Sequence, residues 1–239
     1  MKLDVLAIGS HPDDVELGCG GTLAQLAGRG RKVGILHLTQ GEAGTRGSVA
    51  QRRQEAEEAA SILGAVAMDF MDCGDGQLRH GLKEEDELIA HLRKWRPELV
   101  LGPAPADRHP DHGRAHQLVA DSCFYAGLVR RGSGEPHRPA ALFSYMQHDL
   151  FTPSFVVDVT TSWEVKLESL AAYHSQLYQG DDIDDAPPTK VASLEFRRAV
   201  EGRAQHYGLV IGAAYGEPFW SRQPLAINNP LDLLPKGLR

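Results

Sequence analysis

Cysteine, excess positive charge and long hydrophobic runs are all scarce in this sequence of 239 residues. Its three cysteines, Cys19, Cys73 and Cys123, are odd in number and far apart, so they form neither a disulfide framework nor a zinc knuckle. The net charge of −7 argues against nucleic-acid binding through phosphate contacts. The apolar stretch near the first residue is too short for a signal peptide or a membrane span. We therefore expect a cytoplasmic protein with no membrane or nucleic-acid partner.

Short apolar runs alternate with amphipathic helical patterns through the first half of the chain. Continuous apolar strands of this kind are typical of a parallel sheet covered by helices on both faces. We predict an α/β fold, a Rossmann-like three-layer sandwich with a mostly parallel sheet, built as one domain over residues 1–239. The predicted strands are approximately 3–9, 32–39, 66–72, 98–103, 141–147 and 154–160. The predicted helices are approximately 15–27, 51–63, 83–94, 111–127, 161–177 and 192–206.

Three predictions concern the boundaries between these elements. The helix at 161–177 is predicted to open with a capping box, because its first four residues read Thr-Ser-Trp-Glu. Residues 179–190 are acidic, contain two prolines and lack periodicity, so they are predicted to form a loop. The chain is predicted to be irregular from Glu217 onward.

Two polar clusters follow predicted strands. His11, Asp13 and Asp14 come directly after the first strand, and the segment DRHPDH at 107–112 follows the fourth. Ligands of an open parallel sheet bind at the carboxyl ends of its strands, so we expect these clusters to meet. Two histidines, one carboxylate and one open position are the usual composition of a catalytic zinc site. Capping or hydrogen bonding explains each residue taken singly, but two such clusters together favour a metal site.

Three further patterns leave alternatives open near these clusters. His116 lies four residues after His112, on the same helical face, and is an alternative metal ligand. The stretch GCGG at 18–21 lacks the third glycine of a dinucleotide-binding fingerprint and is given little weight. The stretch GEAGTRG at 41–47 is a loop whose threonine and Arg46 make it a candidate substrate flap.

Three segments together resemble the LmbE-like or PIG-L superfamily of zinc-dependent N-acetylglucosaminyl deacetylases. They are SHPDDVELGCGGTLA at 10–24, LTQGEAGTRG at 38–47 and PADRHPDHGRAH at 105–116, and the similarity extends to YHSQ at 173–176. The sequence is most similar to the branch that deacetylates N-acetyl-α-D-glucosaminyl L-malate in bacillithiol biosynthesis. The resemblance implies a Zn²⁺ cofactor, a small-molecule glucosaminide as substrate, and a homo-oligomer, which is a hexamer in close relatives.

The resemblance also implies a role for individual residues of the two clusters. It makes His11, Asp14 and His112 the zinc ligands. It makes Asp13 the catalytic carboxylate and His109 an imidazole that assists at the transition state. Adjacent side chains diverge, so Asp13 cannot easily bind the same ion as Asp14 and remains able to take a proton from water.

The malate substrate carries two carboxylates, so an acidic protein needs local positive charge to bind it. The resemblance matches Arg53 to a substrate-binding arginine, and Arg46 and Arg108 are the nearest further candidates by sequence. Arg53 is also explained as a surface ion pair with Glu57, four residues later. Asp111 fits a position from which a carboxylate orients a ligand or catalytic histidine.

Several alternatives stay open at this point. Iron(II), cobalt and nickel also suit nitrogen and carboxylate ligands. The substrate can instead be a mycothiol-type inositol conjugate, a chitooligosaccharide or a thiol S-conjugate, and the fold can serve a non-catalytic metal-binding or sugar-binding module. A two-metal phosphoesterase usually needs more bridging carboxylates than the sequence offers. No tyrosine is assigned to oxyanion binding, because Phe196 stands where some relatives place one.

Overall fold

The computed structural model describes residues 1–178 and 187–233. Seven strands form one sheet in the order β3-β2-β1-β4-β5-β7-β6. The first five in this order are parallel, and β7 runs antiparallel to both of its neighbours. The strands are β1 Val5–Gly9, β2 Val33–His37, β3 Ala67–Phe70, β4 Leu99–Gly102, β5 Ala141–Tyr145, β6 Phe155–Asp158 and β7 Gly216–Ser221.

Helices cover both faces of the sheet. Leu88 of α3 and Leu118 of α4 belong to one apolar cluster with Leu6 of β1. Val15 of α1 and Leu63, which directly follows α2, belong to a second cluster on the opposite face. The α/β sandwich with a mostly parallel sheet is thereby confirmed. The helices are α1 Asp14–Gly28, α2 Val49–Ile62, α3 Leu82–Trp95, α4 Pro110–Tyr125, α5 Trp163–Ala171 and α6 Leu194–Ile211.

The strand order places a binding crevice at the carboxyl ends of β1 and β4. The chain leaves β1 toward β2 on one side, and β4 pairs with β1 on the other side. This reversal is a topological switch point, where the loops after neighbouring strands diverge and leave room for a ligand. Both polar clusters of the sequence follow these two strands.

The prediction that the chain is irregular from Glu217 onward is wrong for its first residues. Gly216–Ser221 forms β7, which lies between β5 and β6 in the sheet. Phe219 is fully buried. A proline inside a strand usually argues against a central position because it has no amide hydrogen. Here Pro218 still contributes to the pairing of the strands, because its carbonyl oxygen accepts a hydrogen bond from the amide of Met146 at 3.3 Å.

The glycine-rich stretch after the first polar cluster lies inside α1, which is broken at Cys19 with a φ of −146° and a ψ of 19°. Beyond the break, the amides of Gly21 and Thr22 donate to the Glu217 carboxylate at 3.0 and 2.7 Å. Lys166 pairs with the same buried carboxylate at 2.5 Å and balances its charge. These amides are therefore bound within the protein and are not available to a dinucleotide phosphate.

The predicted capping box and the predicted length of the helix it opens are also wrong. α5 begins at Trp163 and ends at Ala171, six residues earlier than predicted. The N-cap of α5 is Ser162 rather than Thr161, so the predicted pair of Thr161 and Glu164 is out of register, and Ser162 makes no capping hydrogen bond. Its hydroxyl donates to the carbonyl of Gly21 at 2.7 Å. The predicted loop at 179–190 lies largely outside the described residues.

Candidate active site

The two histidine-bearing turns meet at the carboxyl ends of β1 and β4. Asp14 Oδ2 lies 3.4 Å from His11 Nδ1 and 3.4 Å from His112 Nε2. These separations are long for hydrogen bonds. A tetrahedral zinc site with bonds of about 2.0–2.1 Å has ligand atoms roughly 3.3–3.4 Å apart. All three side chains are buried, so their chemistry, their spacing and their environment fit a metal ion.

Further carboxylates set the orientation of both imidazoles. His11 Nε2 lies 3.1 Å from Asp75 Oδ1 and 3.4 Å from Asp111 Oδ2. His112 Nδ1 lies 3.0 Å from Asp107 Oδ1. An ionised carboxylate only accepts hydrogen bonds, so these ring nitrogens carry the hydrogens. The opposite nitrogens of the neutral rings keep their lone pairs on the side of the shared carboxylate oxygen, as metal ligation requires.

His109 lies beside the rings of His11 and His112, but its Nδ1 accepts a hydrogen bond where their outer nitrogens donate one. Its ring centroid is 4.7 Å from that of His11 and 5.0 Å from that of His112. Nδ1 of His109 accepts the backbone amide of Asp111 at 3.2 Å, so a neutral ring carries its hydrogen on Nε2. Burial and the neighbouring His11 lower the pKa of His109, which favours this neutral form. His109 is therefore arranged as a hydrogen-bond donor.

The carboxylates of the site favour positive charge at its centre. Burial lowers the pKa of His11, but Asp111, Asp14 and Asp75 outweigh it and raise that pKa well above the ordinary value. Burial also opposes the charge of His112, yet Asp14 and a further carboxylate raise its pKa to about 9. An environment that stabilises a protonated imidazole also stabilises a bound cation.

Asp13 is held apart from these ligand-type side chains by its backbone. It has a φ of 99° and a ψ of −24°, in the left-handed region that side chains rarely adopt. Its Oδ2 lies 3.6 Å from Arg52 Nη2, whereas Asp14 faces the two histidines. Burial raises the pKa of Asp13 to about 7, with Arg52 acting in the opposite direction. A carboxylate with a pKa in this range is suited to accept and return a proton.

A cavity of about 200 Å³ opens in front of the site, and an arginine lies in its wall. This arginine is Arg52, whose guanidinium donates to the carbonyls of Gly41 at 3.0 Å and Pro12 at 2.8 Å. Arg53, the predicted substrate-binding residue, does not line the cavity. It is half exposed, its Nε lies 3.4 Å from Glu57 Oε1, and its guanidinium stacks over a phenylalanine ring.

The other predicted arginines lie at different distances from the cavity. Arg108 is exposed and lines it, together with residues 43–45 of the predicted flap. Arg46 is not among the lining residues, and its carbonyl accepts the side-chain amide of Gln176 at 2.6 Å. The neighbouring Ser175 donates to Glu55 of α2 at 2.7 Å. The YHSQ segment thus fastens the flap to α2.

Besides Arg52, four residues of the site are not predicted from the sequence. Asp107 belongs to the second polar cluster but has no predicted role. The signal for one is its position two residues before His109. Asp75 and Gln147 lie in loops with no motif around them. His148 also carries no signal in the sequence, yet it lines the cavity, and its ring stacks on that of His112 with 5.6 Å between the centroids.

The structure separates two other candidates from the metal-binding atoms. Nδ1 of His116, the alternative ligand, lies 3.0 Å from the carbonyl oxygen of Pro103. Phe196, which takes the place of a tyrosine in some relatives, has its ring 5.8 Å from that of His148. It therefore lies beside the cavity as an apolar side chain.

The site thus combines a His–Asp–His cluster with a second carboxylate, Asp13, which lies beside Arg52 rather than beside the histidines. This is the arrangement of a metal-dependent hydrolase. Residues 6–123 match the family model described as PIG-L, GlcNAc-PI de-N-acetylase. The diacetylchitobiose deacetylase of Thermococcus kodakarensis is 34% identical over 188 residues, which are 72% of this chain and 69% of that protein. The chain belongs to the PIG-L family, and it is a deacetylase, an enzyme that hydrolyses an amide bond.

Two further comparisons mark the extent of the likeness. The solved structure of the conserved protein TT1542 from Thermus thermophilus is 35% identical, covers 94% of this chain and 97% of its own, and superimposes with a TM-score of 0.86. The 4-oxalmesaconate hydratase of Pseudomonas putida is 26% identical over 72% of this chain and 73% of its own length. Relatives of this chain thus include proteins named as deacetylases and one named as a hydratase.

Proposed function

We propose that this enzyme hydrolyses the acetamide of an N-acetylglucosaminide, with Zn²⁺ as its metal. The observation that carries the proposal is the single Asp14 oxygen placed 3.4 Å from a nitrogen of each of two buried histidines, with a second carboxylate beside it. His11 Nδ1, Asp14 Oδ2 and His112 Nε2 would hold the ion. When bound, Zn²⁺ supplies Lewis acidity that activates water and polarises an amide carbonyl.

Asp13 is assigned the proton transfers. Its carboxylate accepts a proton from the attacking water and later returns it to the departing amine. Arg52 fixes the position of that carboxylate and, through its bonds to the carbonyls of Pro12 and Gly41, joins the metal-binding turn to the flap. General acid–base catalysis of this kind contributes about 10²–10⁴-fold to the rate.

His109 is assigned to the oxygen of the acetamide. The Asp111 amide occupies its Nδ1, so its Nε2–H is the atom that donates to the developing oxyanion. A fixed donor at that position is typically worth about 10²–10³-fold in kcat. Asp111 also accepts the amides of Gly76 and Leu78, at 2.7 and 3.1 Å, and so anchors the loop that carries Asp75.

The preferred substrate within this class is N-acetyl-α-D-glucosaminyl L-malate. Arg108 supports this proposal because it is exposed at the wall of the cavity, where its guanidinium can pair with a carboxylate of the malate. Arg52 already pairs with Asp13, and Arg46 does not line the cavity, so Arg108 is the first residue to test for substrate binding.

A release assay with three glycosides tests the function and the substrate together. N-acetylglucosaminyl malate, diacetylchitobiose and an inositol N-acetylglucosaminide are compared for amine and acetate release. We expect equal amounts of both products, the highest kcat/KM for the malate glycoside, loss of activity on chelation and recovery with Zn²⁺. Zinc binding without release from any glucosaminide would contradict the function, and a higher kcat/KM for either comparison substrate would contradict the malate preference.

We further propose a cytoplasmic homo-oligomer, a hexamer as in close relatives. Among the described residues, no helix has the length and apolar character needed to cross a bilayer. Phe219 contributes to the chain's own core, whereas Phe124, Ile227 and Leu231 are exposed apolar side chains available for an interface. Light scattering of the purified protein tests the assembly, and a monomer mass at micromolar concentration would contradict it.

A further inference from the structure

The two oxygens of Asp14 have different partners. Oδ2 is the oxygen that faces both histidines, and it also accepts the backbone amide of His11 at 2.8 Å. Oδ1 accepts a hydrogen bond from the side-chain amide of Gln147. Gln147 follows β5, 133 residues away in sequence, and only 4% of its surface is exposed. A carboxamide buried against one oxygen of a metal-binding carboxylate is a specific arrangement that the proposed mechanism does not use.

Gln147 is itself fixed by a partly buried arginine. The guanidinium of Arg203, in α6, donates to the backbone carbonyl of Gln147. The same guanidinium donates to the carbonyl of Leu17, in the first turns of α1, at 3.3 Å. Arg203 therefore joins α6, the segment after β5 and the helix that begins with Asp14. A planar guanidinium can hold two carbonyls in this way, whereas a lysine ammonium lacks the fixed fork.

We propose that Gln147 is a positioning residue that restricts Asp14 to one metal-facing oxygen. This inference rests on the proposed metal site. A carboxylate that binds a cation through both oxygens fills two coordination positions. The Gln147 amide is a donor held against Oδ1, so rotation of Asp14 toward a two-oxygen mode breaks a buried hydrogen bond and leaves a polar group unpaired. The position saved in this way is the one that water and the substrate carbonyl must share.

The geometry also explains why an amide stands at this place. A second carboxylate would repel Asp14, and a lysine would neutralise it and weaken its bond to a cation. A neutral donor leaves the full charge of Asp14 on the ligand side. Residues that hydrogen-bond to metal ligands typically change metal affinity by about 10–100-fold when they are removed.

The test replaces Gln147 by methionine, which keeps its length and removes the amide. We expect the zinc affinity of Gln147→Met, measured by competition with a chromophoric chelator, to fall by about 10–100-fold. X-ray absorption at the zinc edge should show an additional oxygen neighbour, as Asp14 turns to bind through both oxygens. Gln117→Met is the matched control, because Gln117 donates to Asp121 on the exposed face of α4. Its zinc affinity and coordination number should equal those of the parent protein.

Two outcomes would overturn the inference. One is a Gln147→Met protein with parental zinc affinity and coordination number, and the other is an equal loss of affinity in the control. If Gln147→Met does not fold, Arg203→Lys is measured in the same way and is expected to shift the coordination number in the same direction, and an unchanged number would overturn the inference. A parent protein that binds no zinc would instead contradict the proposed function.

Discussion

Replacing Asp13 by glycine tests whether the catalytic turn stores backbone strain. Asp13 has a φ of 99°. A side chain in the left-handed region costs roughly 1–2 kcal/mol because its Cβ crowds the backbone, and glycine avoids this cost. Glycine in turn loses about 0.4–1 kcal/mol through the greater freedom of the unfolded chain. We therefore expect Asp13→Gly to have a free energy of unfolding roughly 1 kcal/mol above that of Asp13→Ala.

The comparison with alanine isolates the backbone term, since both variants lose the same buried carboxylate. Urea unfolding of the zinc-loaded proteins at one pH measures the difference. The pair Gln54→Gly and Gln54→Ala, on the exposed face of α2, is the control. There glycine should be the less stable by about 1 kcal/mol, because the backbone is helical. An Asp13→Ala protein as stable as Asp13→Gly would refute the reasoning.

The same two proteins report on the role of Asp13. Both should retain zinc, since Asp13 is not assigned as a ligand. Both should lose at least about 10²-fold in kcat, because Asp13 is the group assigned to carry the proton. Loss of the metal from either variant would instead make Asp13 a ligand.

Three further predictions concern the surroundings of the site. Burial raises the pKa of Glu16 to about 8. The folded protein therefore holds a proton that the unfolded chain releases near pH 4.5. Because of this difference, the free energy of unfolding must fall as pH rises between these two values. Urea unfolding at pH 5 and pH 8 should show a smaller fall for Glu16→Gln than for the parent, by roughly 3 kcal/mol, and equal falls would contradict it. Asp107→Asn should lower zinc affinity by about 10–100-fold in a chelator competition. Arg52→Lys should lower kcat, because its two carbonyl contacts and its pair with Asp13 are disturbed. Arg53→Lys should leave kcat and KM unchanged. A loss of activity in Arg53→Lys but not in Arg52→Lys would restore Arg53 to the site.

The meeting of the two histidine-bearing turns could be predicted because their signal is local. Each cluster directly follows an apolar strand, and the carboxyl ends of parallel strands share one edge of the sheet. The helical spacing of α2 also contained a signal that Arg52, rather than Arg53, lines the cavity. Ala56, Ala59 and Ala60 face inward, and Arg52 precedes Ala56 by four residues, so helical spacing turns Arg52 toward the core. The matching position for Arg53 is the exposed Glu57.

The remaining residues could not be predicted because they depend on which strands are neighbours. Gln147 and His148 reach the site only since β5 pairs with β4, and Asp75 only since its loop follows a strand on the other side of β1. No short pattern in the sequence predicts the order of the strands in the sheet. β7 was hidden for a different reason, since a glycine and a proline disguise a strand whose partners come from distant parts of the chain.

The carboxylate that caps the break in α1 ties the beginning of the fold to a residue made much later. Gly21 and Glu217 are 196 positions apart, and the helix they close starts with the aspartate assigned to the metal. During synthesis, the amides after the break have no acceptor from β7 until residue 217 has left the ribosome. The hydrogen bonding of α1 beyond its break is therefore complete only after β7 has been inserted between β5 and β6.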